Sequence, residues 1–289
     1  VLKGLNIAPT DLHKLADIPA EQILAVQLAA EEGRGPMTLP SDGSAPAPRD
    51  GRLHKAGYWM PGGYGPVVDG TVLPADPFDP VASPLMADVP LIVGHNRDEA
   101  TFFNMGRPDT FTLDEAGLKA RMATEFGGDA DKLLTVYRTI YPQATPTDLY
   151  IAIASARWFG ADSATTADRK SAQAAPVYQY RYDYASNFPI AGTTATLKAG
   201  HATEIASLFL NTDQPGLEGN GPGLMEASKN MSAFWASFAR TGKPQAPGQP
   251  DWPRYTTTDR PVMLINTTCR VENDPEGAAR KVWQEEVAD

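Results

Sequence analysis

Apolar and polar positions along the chain alternate between two periods, and each period predicts a different element. From Val89 to Gly94 the run VPLIVG is apolar without alternation and too short for a helix, which predicts a fully buried strand. His95 to Glu99, where charge appears at once, then reads as the loop at its carboxyl end. In VYQYRYDY, Tyr178, Tyr180, Tyr182 and Tyr184 fall on every second position, so a strand here lays an aromatic row on one face, for which packing is the simplest role. RPVMLIN, Arg260 to Asn266, predicts the last strand.

The other period is helical. Met231, Phe234, Trp235 and Phe238 stand at i, i+3, i+4 and i+7, with Arg240 in the last turn, Gly242 as the stop and Pro244 beyond it. This predicts a core-facing helix. Further helices are expected from Asp17, an acidic N-cap candidate, to Gly33, and from Thr112 to Gly127, where Thr112 and Glu115 have capping-box spacing. Others are expected over Asp129 to Tyr141, over Thr147 to Phe159, and from Asp274-Pro275 through Trp283. Gly35 to Gly70, rich in Pro, Gly, Ser and Asp, reads as a long loop. Strands separated by helices, with no internal repeat, predict an α/β fold.

Composition narrows the function classes. The chain has 289 residues, 42% of them hydrophobic, enough for one large domain or part of one. A formal net charge of -10 argues against nucleic acid or an anionic membrane as partner, because the long-range field repels a polyanion. Cys269 is the single cysteine, which rules out an internal disulfide and a cysteine zinc cluster and favours a reducing, cytoplasmic setting over a secreted one. No stretch reaches the roughly 18 apolar residues of a membrane helix, and the start VLKGLNIAPTDLHK lacks both a methionine and a signal-like core.

Of the four histidines, His13 and His54 lie in polar surroundings without a partner acid and read as surface residues. His95, Asp98 and Glu99 form a sparse candidate metal set, with no His-x-x-x-His pair beside them. Asp98 also suits the start of the following helix, where an acid offsets the macrodipole. His201, in LKAGHATEIASLFL, sits between a small-residue turn and an apolar-periodic segment, where a loop enters a helix; capping or packing against that helix is an equal alternative to chemistry. The order strand, acid, histidine matches the second half of a nucleophile, acid, histidine triad, and makes Glu99 the better candidate for the acid that orients an imidazole.

Six segments in order, YGPVVDGTVLPADPF, VPLIVGHNRDEATFF, VYQYRYDY, AGHATEIASLFLN, FWASFARTGKP and WPRYTTTDRPVMLIN, resemble the C-terminal half of a type B carboxylesterase, of the carboxylesterase and cholinesterase family of α/β-hydrolases. The resemblance implies the C-terminal part of an α/β-hydrolase fold, with a mostly parallel central sheet flanked by helices and with helical cap segments, so that residues 1 to 289 are one portion of a single domain. It also implies that the triad acid is Glu99 and the triad histidine His201. Ser207 is a departure, since the family often carries an aromatic there.

The family nucleophile lies in Gly-x-Ser-x-Gly, and no serine of this chain has glycine at both flanking positions; the His-Gly-Gly oxyanion motif is absent too, because MPGGYG falls too late and lacks the histidine. The expectation is therefore a carboxylic ester hydrolase with no cofactor, in which an N-terminal polypeptide of the same enzyme supplies serine and oxyanion hole to Glu99 and His201. Phe102, Phe103, Trp158 and Phe159 are candidates to line an apolar site for a small-molecule ester, with plain core packing the commoner fate of such residues. A non-catalytic, cholinesterase-like interaction module and a metal-dependent hydrolase built on His95, Asp98 and Glu99 are the competing classes.

Overall fold

A computed structural model describes residues 1–32 and 68–288, which fall into two compact units, one holding 1–32 and the other 68–288. In the first, a 3-10 helix over Pro9–Asp17 is followed by α1, Ala20–Glu32. The expected helix is present, but Asp17 ends the 3-10 turn instead of capping α1, whose first backbone bonds run to the Pro19 carbonyl. Most of the expected Gly35 to Gly70 loop, including His54 and MPGGYG, lies outside the described residues.

The second unit runs β1 (Leu91–Asn96), α2 (Ala100–Phe103), α3 (Glu115–Phe126), α4 (Ala130–Ile140), α5 (Pro146–Ser155) and α6 (Ala161–Ser171). It continues with β2 (Val177–Tyr182), β3 (Ser186–Pro189), β4 (Thr196–Lys198), α7 (Ile205–Phe209) and α8 (Leu224–Thr241), then β5 (Pro261–Ile265), β6 (Arg270–Asn273) and α9 (Gly277–Ala288). The main sheet has the order β1-β2-β5-β6; the first two pairings are parallel and the last antiparallel, while β3 and β4 form a small antiparallel ribbon. The α/β class with a mostly parallel sheet is thus present. RPVMLIN forms β5, but β6 follows it, so it is not the final strand.

Alternation along β2 sorts the two faces of the sheet. Tyr178 and Tyr182, with Tyr184 just beyond the strand, pack with Met231 and Phe234 of α8 and with Trp252, as the tyrosine row and the helical spacing predict. On the opposite face Val177 packs with Ala167 of α6, and Arg181 makes a bidentate bond to Asp183 at 2.7 and 2.9 Å and a third bond to Glu276 at 2.6 Å. A second core joins α3, α4 and α5 to Trp283 of α9.

Local chemistry sets the helix ends. Gly242 closes α8 at φ 72°, in the left-handed region that glycine enters at no steric cost. At α3 the cap is Asp114, whose Oδ1 accepts from the Gly117 amide at 2.7 Å; Thr112 belongs to a preceding 3-10 turn, so the Thr112–Glu115 capping box does not form. A capping box does form between Thr145 and Asp148, at the start of α5. The helix expected over Thr147 to Phe159 is longer than its pattern shows: α5 passes through a π-helical turn, Ala156–Gly160, into α6. That wide turn carries Trp158 and Phe159.

Candidate active site

β1 is half-buried rather than fully buried, and it extends through His95 to Asn96, so the polar cluster begins inside the strand. Gly94 is where β1 needs glycine. A Cβ there would lie 2.2 Å from the Tyr180 carbonyl oxygen and 2.3 Å from its ring, across the β1–β2 pairing.

The residues after Gly94 take separate directions. His95 retains some exposure as a residue, but its Nδ1 is sealed away without a partner, and burial holds its pKa below the usual value. Its ring borders a cavity of about 60 Å³ with Arg181, Glu276 and Trp283, which neither Glu99 nor His201 lines. The Asp98 carboxylate accepts from the Ala199 amide at 3.2 Å and pairs with Arg97 at 3.0 Å, so it fastens the loop before His201 instead of capping α2. Glu99 turns the other way. Among the described residues no cluster of His, Cys, Asp and Glu is placed to hold a metal ion, and Asp98 and Glu99 are each engaged in other bonds.

Glu99 is 4% exposed, and both of its carboxylate oxygens are occupied: Oε1 accepts from the Asn96 amide at 2.7 Å, and Oε2 accepts from His201 Nδ1 at 2.7 Å. Because a carboxylate only accepts, the Nδ1 proton is donated to it, which leaves Nε2 as the basic nitrogen. The bond to Glu99 raises the His201 pKa most, burial lowers it, and the charges of Glu99 and Glu204 add to the rise. His201 sits in the turn before α7, and Ala202 directly after it holds a left-handed φ of 66°, a conformation that costs an alanine about 1 kcal/mol.

Aromatic rings surround this imidazole. Phe103, Phe159 and Phe102 have ring centroids 4.9, 5.1 and 5.8 Å from that of His201, and Trp158 meets Phe103 edge-on at 5.6 Å. All four are half-buried. The short helix α2, begun immediately after Glu99, delivers Phe102 and Phe103, and the π turn delivers the other two. Glu99, His201 and the four aromatics predicted from sequence therefore converge, whereas the exposed His13 stands in the other unit. Ser207 is fully buried and bonds Tyr182 Oη at 2.9 Å and Ser228 Oγ at 3.0 Å, so it serves the core beneath α7.

Two site residues went unassigned from sequence. Asn96 Nδ2 donates to the Gly200 carbonyl at 2.8 Å and also bonds the Glu204 carboxylate. A polar amide closing an apolar strand was the available signal.

A carboxylate thus holds one nitrogen of an imidazole whose ring is packed among aromatic side chains. The sequence profile of the Carboxylesterase family matches residues 55–283. The chain belongs to the carboxylesterase family. Over 239 residues it is 30% identical to a pig (Sus scrofa) liver carboxylesterase, covering 77% of this chain and 39% of that protein. It is 26% identical to the para-nitrobenzyl esterase of Bacillus subtilis, covering 75% and 42%. The crystal structure of a Geobacillus stearothermophilus carboxylesterase superposes with a TM-score of 0.70 at 31% identity, covering 98% of this chain and 53% of that one. This carboxylesterase-family chain thus spans about two fifths of those curated relatives and about half of the solved structure. No helix among its described residues is long and apolar enough to cross a membrane.

Proposed function

We propose that residues 1 to 289 are the C-terminal portion of a single α/β-hydrolase domain, and that they supply the acid and the base of a Ser–His–Glu carboxylic ester hydrolase. The serine and the oxyanion hole come from a polypeptide segment carrying Gly-x-Ser-x-Gly, outside these residues. His201 Nε2 takes the serine proton as the hydroxyl attacks the ester carbonyl, then returns it to the leaving alcohol. Water, deprotonated by the same nitrogen, cleaves the acyl-enzyme to the carboxylic acid. Glu99 fixes the Nδ1–H tautomer throughout and offsets the charge of the imidazolium.

The observation that carries this reading is the 2.7 Å bond between His201 Nδ1 and a Glu99 carboxylate whose other oxygen is already held. Phe102, Phe103, Trp158 and Phe159 would line an apolar site beside Nε2, suited to aryl and alkyl esters and unsuited to charged ones, because a charge there would lose its hydration without a partner. The test is hydrolysis of a short p-nitrophenyl ester by this chain together with the serine-bearing segment. Activity should be abolished by an organophosphate, untouched by a chelator, and reduced about a thousandfold or more in His201→Ala and in Glu99→Gln. Hydrolysis that survives His201→Ala would refute the proposal.

A further inference from the structure

Glu99 and His201 are separated by 102 positions and stand on different loops, so something must hold those loops in register. Aromatic rings pack on the imidazole but do not bond it. Asp98 ties the two loops once, through bonds with the Ala199 backbone, and the polar connections that reach Glu99 itself and flank His201 meet at Asn96, the last residue of β1. The Asn96 amide fixes Glu99 Oε1 at 2.7 Å, while its side-chain nitrogen binds both the Gly200 carbonyl, one residue before His201, at 2.8 Å and the Glu204 carboxylate, three residues after it. The Gly200 carbonyl also accepts from Thr203 Oγ1 at 2.8 Å. Asn96 itself is 1% exposed, and β1–β2 pairing extends to it, opposite Tyr182, so its backbone cannot drift.

We propose that Asn96 is a positioning residue for the Glu99–His201 pair, clasping the strand end that carries the acid to the turn that carries the histidine, with the half-buried Glu204 carboxylate as the clasp's second anchor. The catalytic meaning of this clasp rests on the function proposed above; the clasp itself does not. The geometry suits the task. An amide has two N–H groups, one for each anchor, and a hydrophobic residue of the same size would leave the Gly200 carbonyl and the Glu204 carboxylate without that donor. Glu204 has a further effect through its charge: burial raises its pKa, the bond from Asn96 lowers it, and its negative charge helps to hold His201 protonated. The clasp therefore has two separable consequences, a mechanical one through Asn96 and an electrostatic one through Glu204.

The test follows the histidine rings of the isotopically labelled 289-residue chain by NMR, reading the His201 pKa and the exchange of its Nδ1 proton with water, in the parent, Asn96→Ala, Glu204→Gln, Glu204→Ala and Glu99→Gln. Asn96→Ala should lower the His201 pKa and speed Nδ1 proton exchange roughly tenfold or more, because the pair then opens more often. Glu204→Gln keeps an acceptor for Asn96 but removes the charge, so it should lower the pKa and leave exchange unchanged, while Glu204→Ala should change both. If Asn96→Ala does not fold, the contrast between Glu204→Ala and Glu204→Gln decides. Exchange as slow as in the parent in Asn96→Ala, or, failing that variant, in Glu204→Ala, would overturn the clasp. A His201 pKa unmoved by Glu99→Gln would instead overturn the acid–base pair, and with it the proposed function.

Discussion

Replacing Gly94 by alanine tests how the sheet places the acid. The added Cβ would sit 2.2 Å from the Tyr180 carbonyl oxygen and 2.3 and 2.6 Å from two carbons of its ring. Ordinary contact needs about 3.5 Å, so β1 and β2 must separate by roughly 1 Å at a point where they are paired in register. Overpacking by one methyl group costs about 1–3 kcal/mol, and because the closest atom is backbone and cannot swing aside, a loss near 3 kcal/mol is expected. With a urea m-value of about 2–3 kcal/mol/M, the midpoint of unfolding should fall by roughly 1 M at unchanged m. Removing the ring in Gly94→Ala/Tyr180→Ala should restore little, since the carbonyl clash remains. The displacement also travels along the chain to Glu99, five positions on, and a 1 Å misplacement there is worth roughly a hundredfold in rate. A Gly94→Ala midpoint within about 0.2 M of the parent would show that the strands tolerate the methyl group and that this reading of the glycine is wrong.

Four further outcomes follow from the same geometry. His201 is a base only when neutral, and its pKa is raised above 6.5 chiefly by Glu99, so kcat/KM should rise with pH through that raised value, and Glu99→Gln should move the midpoint down; a midpoint that ignores Glu99→Gln contradicts the pairing. The same raised pKa means that the pair's contribution to stability is fully present below pH 6.5 and is lost as pH rises through the folded value, which urea melts at several pH values would register. Arg181→Met strands the buried carboxylate of Asp183 and should cost about 3–5 kcal/mol in denaturant titrations, and a loss below about 1 kcal/mol would mean that the pair is dispensable. Phe103→Ala, which removes the ring closest to His201, should raise KM for a p-nitrophenyl ester about tenfold with little change in kcat, whereas an unchanged KM would remove Phe103 from the substrate site.

Strong periodicity made part of this fold legible in advance. The tyrosine row and the Met231–Phe238 stripe each put large apolar side chains on one face, and the two faces pack on each other. Helix α6 escaped because its buried face is made of Ala161, Ala164 and Ala167 with Ser163 and Lys170, residues that leave little hydrophobic signal, and the π turn before it has no compositional mark. At the site, chain order made Glu99 a candidate to orient an imidazole, and the resemblance to a family then assigned it the histidine 102 positions away. Asn96 was invisible for a related reason. An asparagine at the end of an apolar strand reads as a boundary, and its three bonds to two loops exist only once both loops are folded. His95 shows the converse: it borders the charged cluster in sequence, yet its strand position turns the ring to the opposite side from Glu99, into the helix-covered face.

The most direct measurement labels the nucleophile. This chain, together with the segment bearing Gly-x-Ser-x-Gly, is treated with an organophosphate, and the adduct is located by peptide mass spectrometry while its rate of formation is followed in the parent and in His201→Ala. The account predicts a single phosphorylated serine within Gly-x-Ser-x-Gly, outside residues 1 to 289, formed about a thousandfold more slowly when His201 is alanine. An adduct on a serine of this chain, or labelling as fast without His201 as with it, would contradict the claim that these residues supply the base to a nucleophile held elsewhere.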